Sequence, residues 1–307
     1  MFPIIPANSV AAVSGNSEGI FAFGRSNAVV SKSNLVSNAG VVASDVAGVG
    51  TARSASTACE YDGDKGIIGF GHDGSGYVSI SNLVSNAGVV ASDQAATTGT
   101  SRSHLGACSY GEDKGIFGFG RPAEYTNVTN LVSNAGVVAS DQAATTGTSR
   151  RALAACEYGT DTGIFGYGTD AALRSVSMTN LVSNAGVIAS DVAGVGSDRS
   201  QLSACGYGFD KGIFGFGVDE GGGGYTNVTN LVSNAGVVAS DQAATTGTAR
   251  NSIAATQYDE DKGIFGFGHD GSGYVSITNL VSNAGVVASD TAGVGTGRGA
   301  PSACSFN

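Results

Sequence analysis

The sequence of 307 residues contains no tryptophan, 4 prolines and only 13% charged residues. Amphipathic surface helices need a polar stripe of Glu, Lys and Arg opposite an apolar stripe, and so few charges cannot supply many of them. Helices are therefore not expected. The 49 glycines and the 41% of hydrophobic residues favour an all-β chain with many tight turns.

Further absences exclude three classes of protein. No apolar run approaches the roughly 18 to 20 residues that a membrane span needs, so we expect a soluble chain without a membrane span. Residues 1–6 lack the positive n-region and the uninterrupted apolar region of a secretory signal, so export by that route is not expected. A net charge of −10 argues against nucleic-acid binding, which depends on Lys and Arg that neutralise phosphates.

The sequence does contain one sequence motif that is repeated six times. The run Asn-Leu-Val-Ser-Asn-Ala-Gly recurs at intervals of 48 to 50 residues, and a Gly-Ile-Phe-Gly-Phe-Gly-like run precedes it in each copy. The first run begins at Asn34, Asn82, Asn130, Asn180, Asn230 and Asn279, and the second at Gly19, Gly66, Gly115, Gly163, Gly212 and Gly263. Six copies of a unit near fifty residues predict a closed or stacked array of one supersecondary module.

Each copy divides into four short apolar segments separated by turns rich in Gly, Asp and Asn. In the fifth copy, segments a, b, c and d are residues 201–207, 212–217, 225–232 and 236–240. Strand side chains alternate, so Phe214 and Phe216 are expected on one face of segment b and Ile213 on the other. Both faces are apolar, which predicts a four-stranded antiparallel sheet covered by neighbours on both sides.

Six such sheets arranged radially predict a six-bladed β-propeller of four-stranded antiparallel blades, in a single domain of residues 14–307. The expected blades are residues 18–46 with 298–305, then 53–95, 102–143, 150–193, 199–243 and 250–292. The last copy has only segment a, which we expect to pair with the first b segment and close the ring. Residues 1–13 are then an arm or an extra strand. Because residues 8–13 also resemble segment a, the reverse arrangement, in which the N-terminal segment closes the ring, stays open. An open solenoid of stacked repeats is a further alternative.

In each copy an Arg precedes segment a. In the fifth copy Lys-Gly-Ile-Phe-Gly-Phe-Gly (211–217) and Tyr-Thr-Asn-Val-Thr-Asn-Leu-Val (225–232) follow. This order resembles the kelch repeat, with its Arg-led inner strand, Gly-Gly-ending second strand and Asn-Asp-Val third strand. The sequence departs from the kelch repeat in two ways. The second glycine of the Gly-Gly pair is displaced, and the tryptophan of the fourth strand is absent. The repeated motifs are also similar in sequence to kelch-like proteins of aquatic tailed bacteriophages. This resemblance implies a virion protein.

The cysteines occupy one position of segment a, where the remaining copy has Thr256. They are Cys59, Cys108, Cys156, Cys205 and Cys304. A whole blade separates equivalent positions, which exceeds the Cα distance of about 7 Å that a disulfide allows. We expect buried, reduced thiols and, without metal-ligand spacing, neither a metal nor a cofactor.

An Asp after segment d and an Arg before the next segment a flank every crossing between copies. The pairs are Asp45 with Arg53, Asp93 with Arg102, Asp141 with Arg150, Asp191 with Arg199, Asp241 with Arg250 and Asp290 with Arg298. The six arginines are expected to ring one end of the central channel. They either fix the crossing loops through carbonyls and the aspartates, or form a site for anions and carboxylates.

The b–c loops are expected on the same side as the d–a crossings, and they differ between copies while the opposite loops are nearly uniform. Function tends to lie on loops that a rigid scaffold carries, so this side is predicted to bind a ligand without six-fold symmetry. Its candidate binding residues are Arg25, His72, Asp73, Tyr77, Arg121, Glu124, Tyr125, Asp170, Arg174, Asp219, Glu220, Tyr225, His269, Asp270 and Tyr274.

Catalysis is not predicted. The only histidines are His72, His104 and His269, and two of them lie in duplicated loops rather than in a unique site. Two functions remain. One is a structural or adhesion protein of a tailed-phage virion, assembled in the host cytoplasm, which contacts other tail or capsid proteins and a host-surface glycan or protein. The alternative is a cytoplasmic kelch-type module that binds a protein or a glycan.

Overall fold

The computed structural model describes residues 16–95, 99–142, 147–219, 224–242 and 247–307. Within these ranges every regular element is a β-strand, which confirms the all-β expectation. No helix in this part of the chain is long and apolar enough to cross a membrane. Residues 1–13, predicted as an arm or an extra strand, lie outside the described residues, and so does Glu220.

Six three-stranded antiparallel sheets repeat along the chain, each with the strand of segment b in the centre. Sheet 1 contains β1 (Glu18–Ala22), β2 (Ser33–Val36) and β22 (Ser302–Phe306), and sheet 2 contains β3 (Thr57–Tyr61), β4 (Lys65–Gly69) and β5 (Ser81–Val84). Sheet 3 contains β6 (Gly106–Tyr110), β7 (Lys114–Gly118) and β8 (Thr129–Val132), and sheet 4 contains β10 (Ala154–Tyr158), β11 (Thr162–Gly166) and β13 (Thr179–Val182). Sheet 5 contains β14 (Ser203–Tyr207), β15 (Lys211–Gly215) and β18 (Thr229–Val232), and sheet 6 contains β19 (Ala254–Tyr258), β20 (Lys262–Gly266) and β21 (Thr278–Val281). Two short ribbons pair β9 (Arg150–Arg151) with β12 (Thr169–Asp170) and β16 (Val218–Asp219) with β17 (Gly224–Tyr225).

Sheet 1 joins the two ends of the described chain. Its strand order is β2-β1-β22, and Ile20 of β1 lies opposite Cys304 of β22 in an antiparallel register. The predicted pairing of the C-terminal segment with the first b segment is therefore confirmed.

Segment d does not form a fourth strand. In the first copy it forms the isolated bridges Val36–Val42 and Ser33–Val46 with β2, and between these bridges three residues of segment d face two of β2, as in a β-bulge. The side chain of Asn34 fills the bulge, donating through Nδ2 to the carbonyl oxygen of Ala43 at 2.9 Å. The same two bridges recur in the other copies, so the prediction of four regular strands per sheet is wrong.

The aromatic residue before the last glycine of each b segment lies outside the strand. Phe216 has a φ of 63° and Gly217 a φ of 104°, so two consecutive left-handed residues reverse the side to which Phe216 points. Phe214 packs on Tyr167 of sheet 4 and Phe216 on Phe265 of sheet 6, each pair with ring centroids 5.1 Å apart. The prediction that the two phenylalanines share one face is wrong, whereas both faces are covered as expected.

The apolar core lies between successive sheets. Six clusters of buried side chains each combine residues of two neighbouring sheets. Strand β3 contacts β6 and β22, and the corresponding strands β10, β14 and β19 continue the series back to β22. Sheet 6 also meets sheet 1 through Phe267 and Phe21, whose ring centroids are 5.1 Å apart.

A closed cycle of backbone hydrogen bonds follows the same order. Its six members all have a positive φ and lie just before the segment-a strand of each sheet. The N–H groups of His104, Ala152, Gln201, Ser252, Ala300 and Ala55 donate to the carbonyl oxygens of Ala55, His104, Ala152, Gln201, Ser252 and Ala300, respectively, over 2.7 to 3.1 Å. The left-handed conformation turns each N–H towards the preceding sheet.

Candidate functional site

The six repeated arginines are buried between sheets and do not line the cavities described below. Each is 0% exposed and lies over the aromatic ring that precedes the last glycine of segment b in the preceding sheet, as Arg102 does with its Cζ 4.5 Å from the Phe70 centroid. Arg102 also donates from Nη2 to Asn130 Oδ1 at 2.6 Å and from Nε to the carbonyl oxygen of Phe119 at 2.9 Å. The predicted ring at the channel end is wrong, because an aromatic ring and backbone carbonyls replace water around the guanidinium.

The acidic partners also differ from the predicted pairs. Arg102 Nη1 lies 3.6 Å from Asp141, which follows segment d of its own copy, rather than near Asp93 of the preceding copy. Burial lowers the pKa of Arg102 to about 10 although Asp141 opposes the shift, so the guanidinium stays charged at neutral pH. The arginines therefore fix the loops that enter each sheet, in agreement with the structural interpretation.

A cavity of about 310 Å³ lies on the side of the variable b–c loops. Five predicted binding residues line it together: Arg25, His72, Tyr77, Arg121 and Tyr274. Residues of the d–a crossings line the same cavity, which confirms that both sets of loops share one side.

Glycine-dependent kinks place these side chains. After the left-handed pair Phe23–Gly24, Arg25 forms a β-bridge with Gly299 of the same sheet. A Cβ on Gly24 would lie 3.1 Å from the carbonyl oxygen of Gly299, and a φ of 110° is strained for any other residue. His72 and Arg121 are held by equivalent bridges in sheets 2 and 3. Three neighbouring sheets thus direct one cationic or titratable residue each to the cavity.

Two lining residues were missed by the sequence analysis. Arg151 donates from Nε to the hydroxyl of Tyr125 at 2.9 Å, and His104 Nδ1 lies 2.8 Å from the hydroxyl of Ser103. Burial and the positive charges of Arg151 and Arg121 lower the pKa of His104 to about 4, so this imidazole is neutral at pH 7. Alignment of the six copies could have found both residues. Most other copies have Ser or Asn at the position of Arg151 and Ala at the position of His104.

The remaining predicted residues lie outside this cavity. Asp170 pairs with Arg174 at 2.7 Å, and the Oδ1 atoms of Asp73 and Asp270 accept backbone N–H groups of their own loops. His269 lies between Tyr225 and Tyr274, with centroids at 6.0 and 5.3 Å. Three further predicted binding residues among those the structure describes do not line the cavity: Glu124, Tyr125 and Asp219.

A narrow channel lies between the segment-a strands of the six sheets, whose residues line both of its spaces. It encloses two spaces of about 100 Å³ and about 60 Å³, and the second is lined by Glu60 and Glu157. Burial raises the pKa of Glu157 to about 7, and burial and then the charge of Glu157 raise the pKa of Glu60. Neither glutamate was predicted as a channel residue.

The five cysteines are free and buried, as predicted. Each packs on the glycine that opens segment b of a neighbouring sheet: a Cβ on Gly115 would lie 2.5 Å from Cys59 Sγ. Burial raises the pKa of the Cys205 thiol to about 12. Their role is to fill small spaces between sheets.

No group of three or more His, Cys, Asp and Glu side chains within the described ranges is placed to hold a metal ion. No protein-family model matches the chain, and no curated protein matches it.

Proposed function

We propose that this chain is a non-enzymatic binding protein whose sheets are the six blades of a kelch-like β-propeller, closed by the C-terminal strand. The pairing of β22 with β1 and the closed cycle of backbone hydrogen bonds support this architecture. The kelch-like order of the repeated segments supports the family. A cryo-EM or crystallographic map with another number of sectors, or with separated chain ends, would contradict it.

One observation carries the binding function. Arg25, His72 and Arg121 occupy equivalent positions of three neighbouring sheets, yet they meet in one cavity with Tyr77 and Tyr274. Because the scaffold around them is nearly identical in every copy, this local variation favours selection for a ligand rather than for folding. The test is retention of the purified protein on arrays of neutral and charged glycans and of host-surface fractions. Absence of any retention would contradict the binding function.

We further propose that the protein acts in the virion of a tailed phage, attached to tail or capsid proteins, with the variable side facing the host surface. The similarity of its repeated phrases to phage kelch-like proteins supports this setting. Mass spectrometry of purified virions tests it, and detection at stoichiometric amounts is expected. Its absence from virions would favour the cellular interaction module instead.

A further inference from the structure

The cavity on the variable side has a charge opposite to that of the chain. The whole chain carries a net charge of −10, whereas the cavity lining includes Arg25, Arg121 and Arg151 and no Asp or Glu. A concave site lined by one sign of charge concentrates counter-ions of the other sign. The cavity is therefore suited to an anion.

Two of these arginines are available to a ligand. Within the described residues no hydrogen bond or ion pair engages the guanidinium group of Arg25 or of Arg121, and both side chains are exposed. No Asp or Glu of the described residues forms an ion pair with either arginine, and Oδ1 of Asp73, the residue after His72, accepts hydrogen bonds from Ser75 of its own loop. Arginine presents a planar fork of donors that matches the two oxygens of a carboxylate.

Two tyrosines beside the arginines provide a flat apolar surface. Tyr77 is 37% exposed and Tyr274 is 41% exposed, although both line the cavity. Edge contacts with His72 and His269, at centroid distances of 5.4 and 5.3 Å, hold the two rings in place. Such fixed rings offer contact area at a low entropic cost, and the C–H face of a sugar ring packs well on them.

We propose that this cavity binds a carboxylated sugar residue, with its carboxylate held by Arg25 and Arg121 and its apolar face on a tyrosine ring. This inference rests on the proposed binding function and specifies its ligand class. A volume of about 310 Å³ is at the lower end for ligand sites, which suits one ring-sized group. An extended acidic peptide would need a longer groove than this cavity offers.

The test is an array that carries glucuronic, galacturonic and sialic acid glycans beside their carboxyl-reduced counterparts, with hexaglutamate as an acidic peptide. The wild-type chain is compared with Arg25→Ala and Arg121→Ala. The control is Lys211→Ala, which removes a cationic side chain that pairs with Asp210 and lies outside the cavity. Circular dichroism and the unfolding midpoint verify that each variant is folded.

We expect at least one carboxylated glycan to bind, its reduced counterpart to bind at least about tenfold more weakly, and each cavity variant to lose about tenfold in affinity. Lys211→Ala should retain binding. Equal binding of charged and reduced glycans, or binding of hexaglutamate alone, would overturn the inference while leaving a binding function in place. Loss of all binding to every probe and host fraction would instead overturn the proposed function itself.

Discussion

The backbone N–H of Ala55 donates a hydrogen bond to the carbonyl oxygen of Ala300 over 3.1 Å, although Ala55 belongs to the second copy and Ala300 precedes the last strand. This bond completes the cycle that links the six sheets. At the opposite end of the same strand, the N–H of Ser17 donates to the carbonyl oxygen of Asn307 at 2.9 Å. Strand β22 thus links the first copy, through its pairing with β1, to the second copy, through Ala55.

Deletion of residues 300–307 should strongly destabilise the protein. It removes β22, leaves β1 with an unpaired edge and reduces sheet 1 to two strands. An exposed edge strand pairs readily with other chains, so we expect a lower unfolding midpoint together with concentration-dependent association. Guanidinium unfolding and light scattering after size-exclusion chromatography measure the two effects.

A circular permutant is the matched control. A short Gly-Ser linker joins residue 307 to residue 16, and new ends are opened in the exposed loop between Gly271 and Ser272. This chain keeps β22 beside β1, so it should unfold near the midpoint of unpermuted residues 16–307 and stay monomeric. A truncated chain as stable as that reference would show that β22 does not hold the first and last copies together.

Replacement of a buried arginine should cost far more stability than replacement of an exposed one. Arg102→Met leaves Asn130 Oδ1 without its guanidinium donor and leaves Asp141 without a cationic partner. Loss of one partner from a buried charged network costs about 3–5 kcal/mol. Arg121→Met, on an exposed side chain, should change the free energy of unfolding by less than about 0.5 kcal/mol. Equal effects of the two substitutions in urea unfolding would contradict the structural role of Arg102.

Close packing of cysteine against glycine makes a second stability test. Gly115→Ala places a methyl group 2.5 Å from Cys59 Sγ and 3.1 Å from the carbonyl oxygen of Glu60, so it should destabilise by about 1–3 kcal/mol. Cys59→Ala in the same chain removes the sulfur and should recover part of the loss, which a double-mutant cycle measures. Gly76→Ala is the control, because its Cβ would meet no atom within 4 Å. Additive effects of the two substitutions would mean that the interface relaxes around the methyl group.

Much of the fold could be predicted because the same pattern of segments occurs six times in the sequence. The periodic glycines and the Asn-Leu-Val run mark the strands, and a final segment a without its own b segment identifies the partner of β1. The position of Arg25 and Arg121 on one side also followed from alternation of strand direction, which places all b–c loops there, whereas their meeting in one cavity was not predicted.

The errors have a common physical origin in backbone conformations that composition does not encode. Nothing in Gly-Phe-Gly indicates that Phe216 adopts a φ of 63°, yet this angle decides which sheet receives its ring. The acidic partner of Arg102 could not be predicted from the sequence either, because Asp93 is closer along the chain whereas Asp141 is closer in space. The bulge opposite Asn34 depends on a side-chain hydrogen bond that replaces a regular strand pairing.

The glutamates of the channel predict a fall in stability as the pH rises. Burial raises the pKa of Glu157 from an ordinary value of 4.5 to about 7. Below the lower value the carboxyl is protonated in both states and contributes nothing. Between the two values the folded protein binds more protons than the unfolded chain, so stability falls by up to about 1.4 kcal/mol per pH unit. Above about pH 7 the cost is constant.

Glu157→Gln should therefore leave the free energy of unfolding unchanged at pH 4 and increase it at pH 8, as measured by guanidinium unfolding at both values. Its pH dependence should also be shallower, because the charge of Glu157 contributes to the raised pKa of Glu60. Glu112→Gln, in an exposed turn, controls for the loss of one negative charge from the chain. If Glu157→Gln is less stable than the wild type at pH 8, the ionised carboxylate must be stabilised within the channel, and burial alone does not set its pKa.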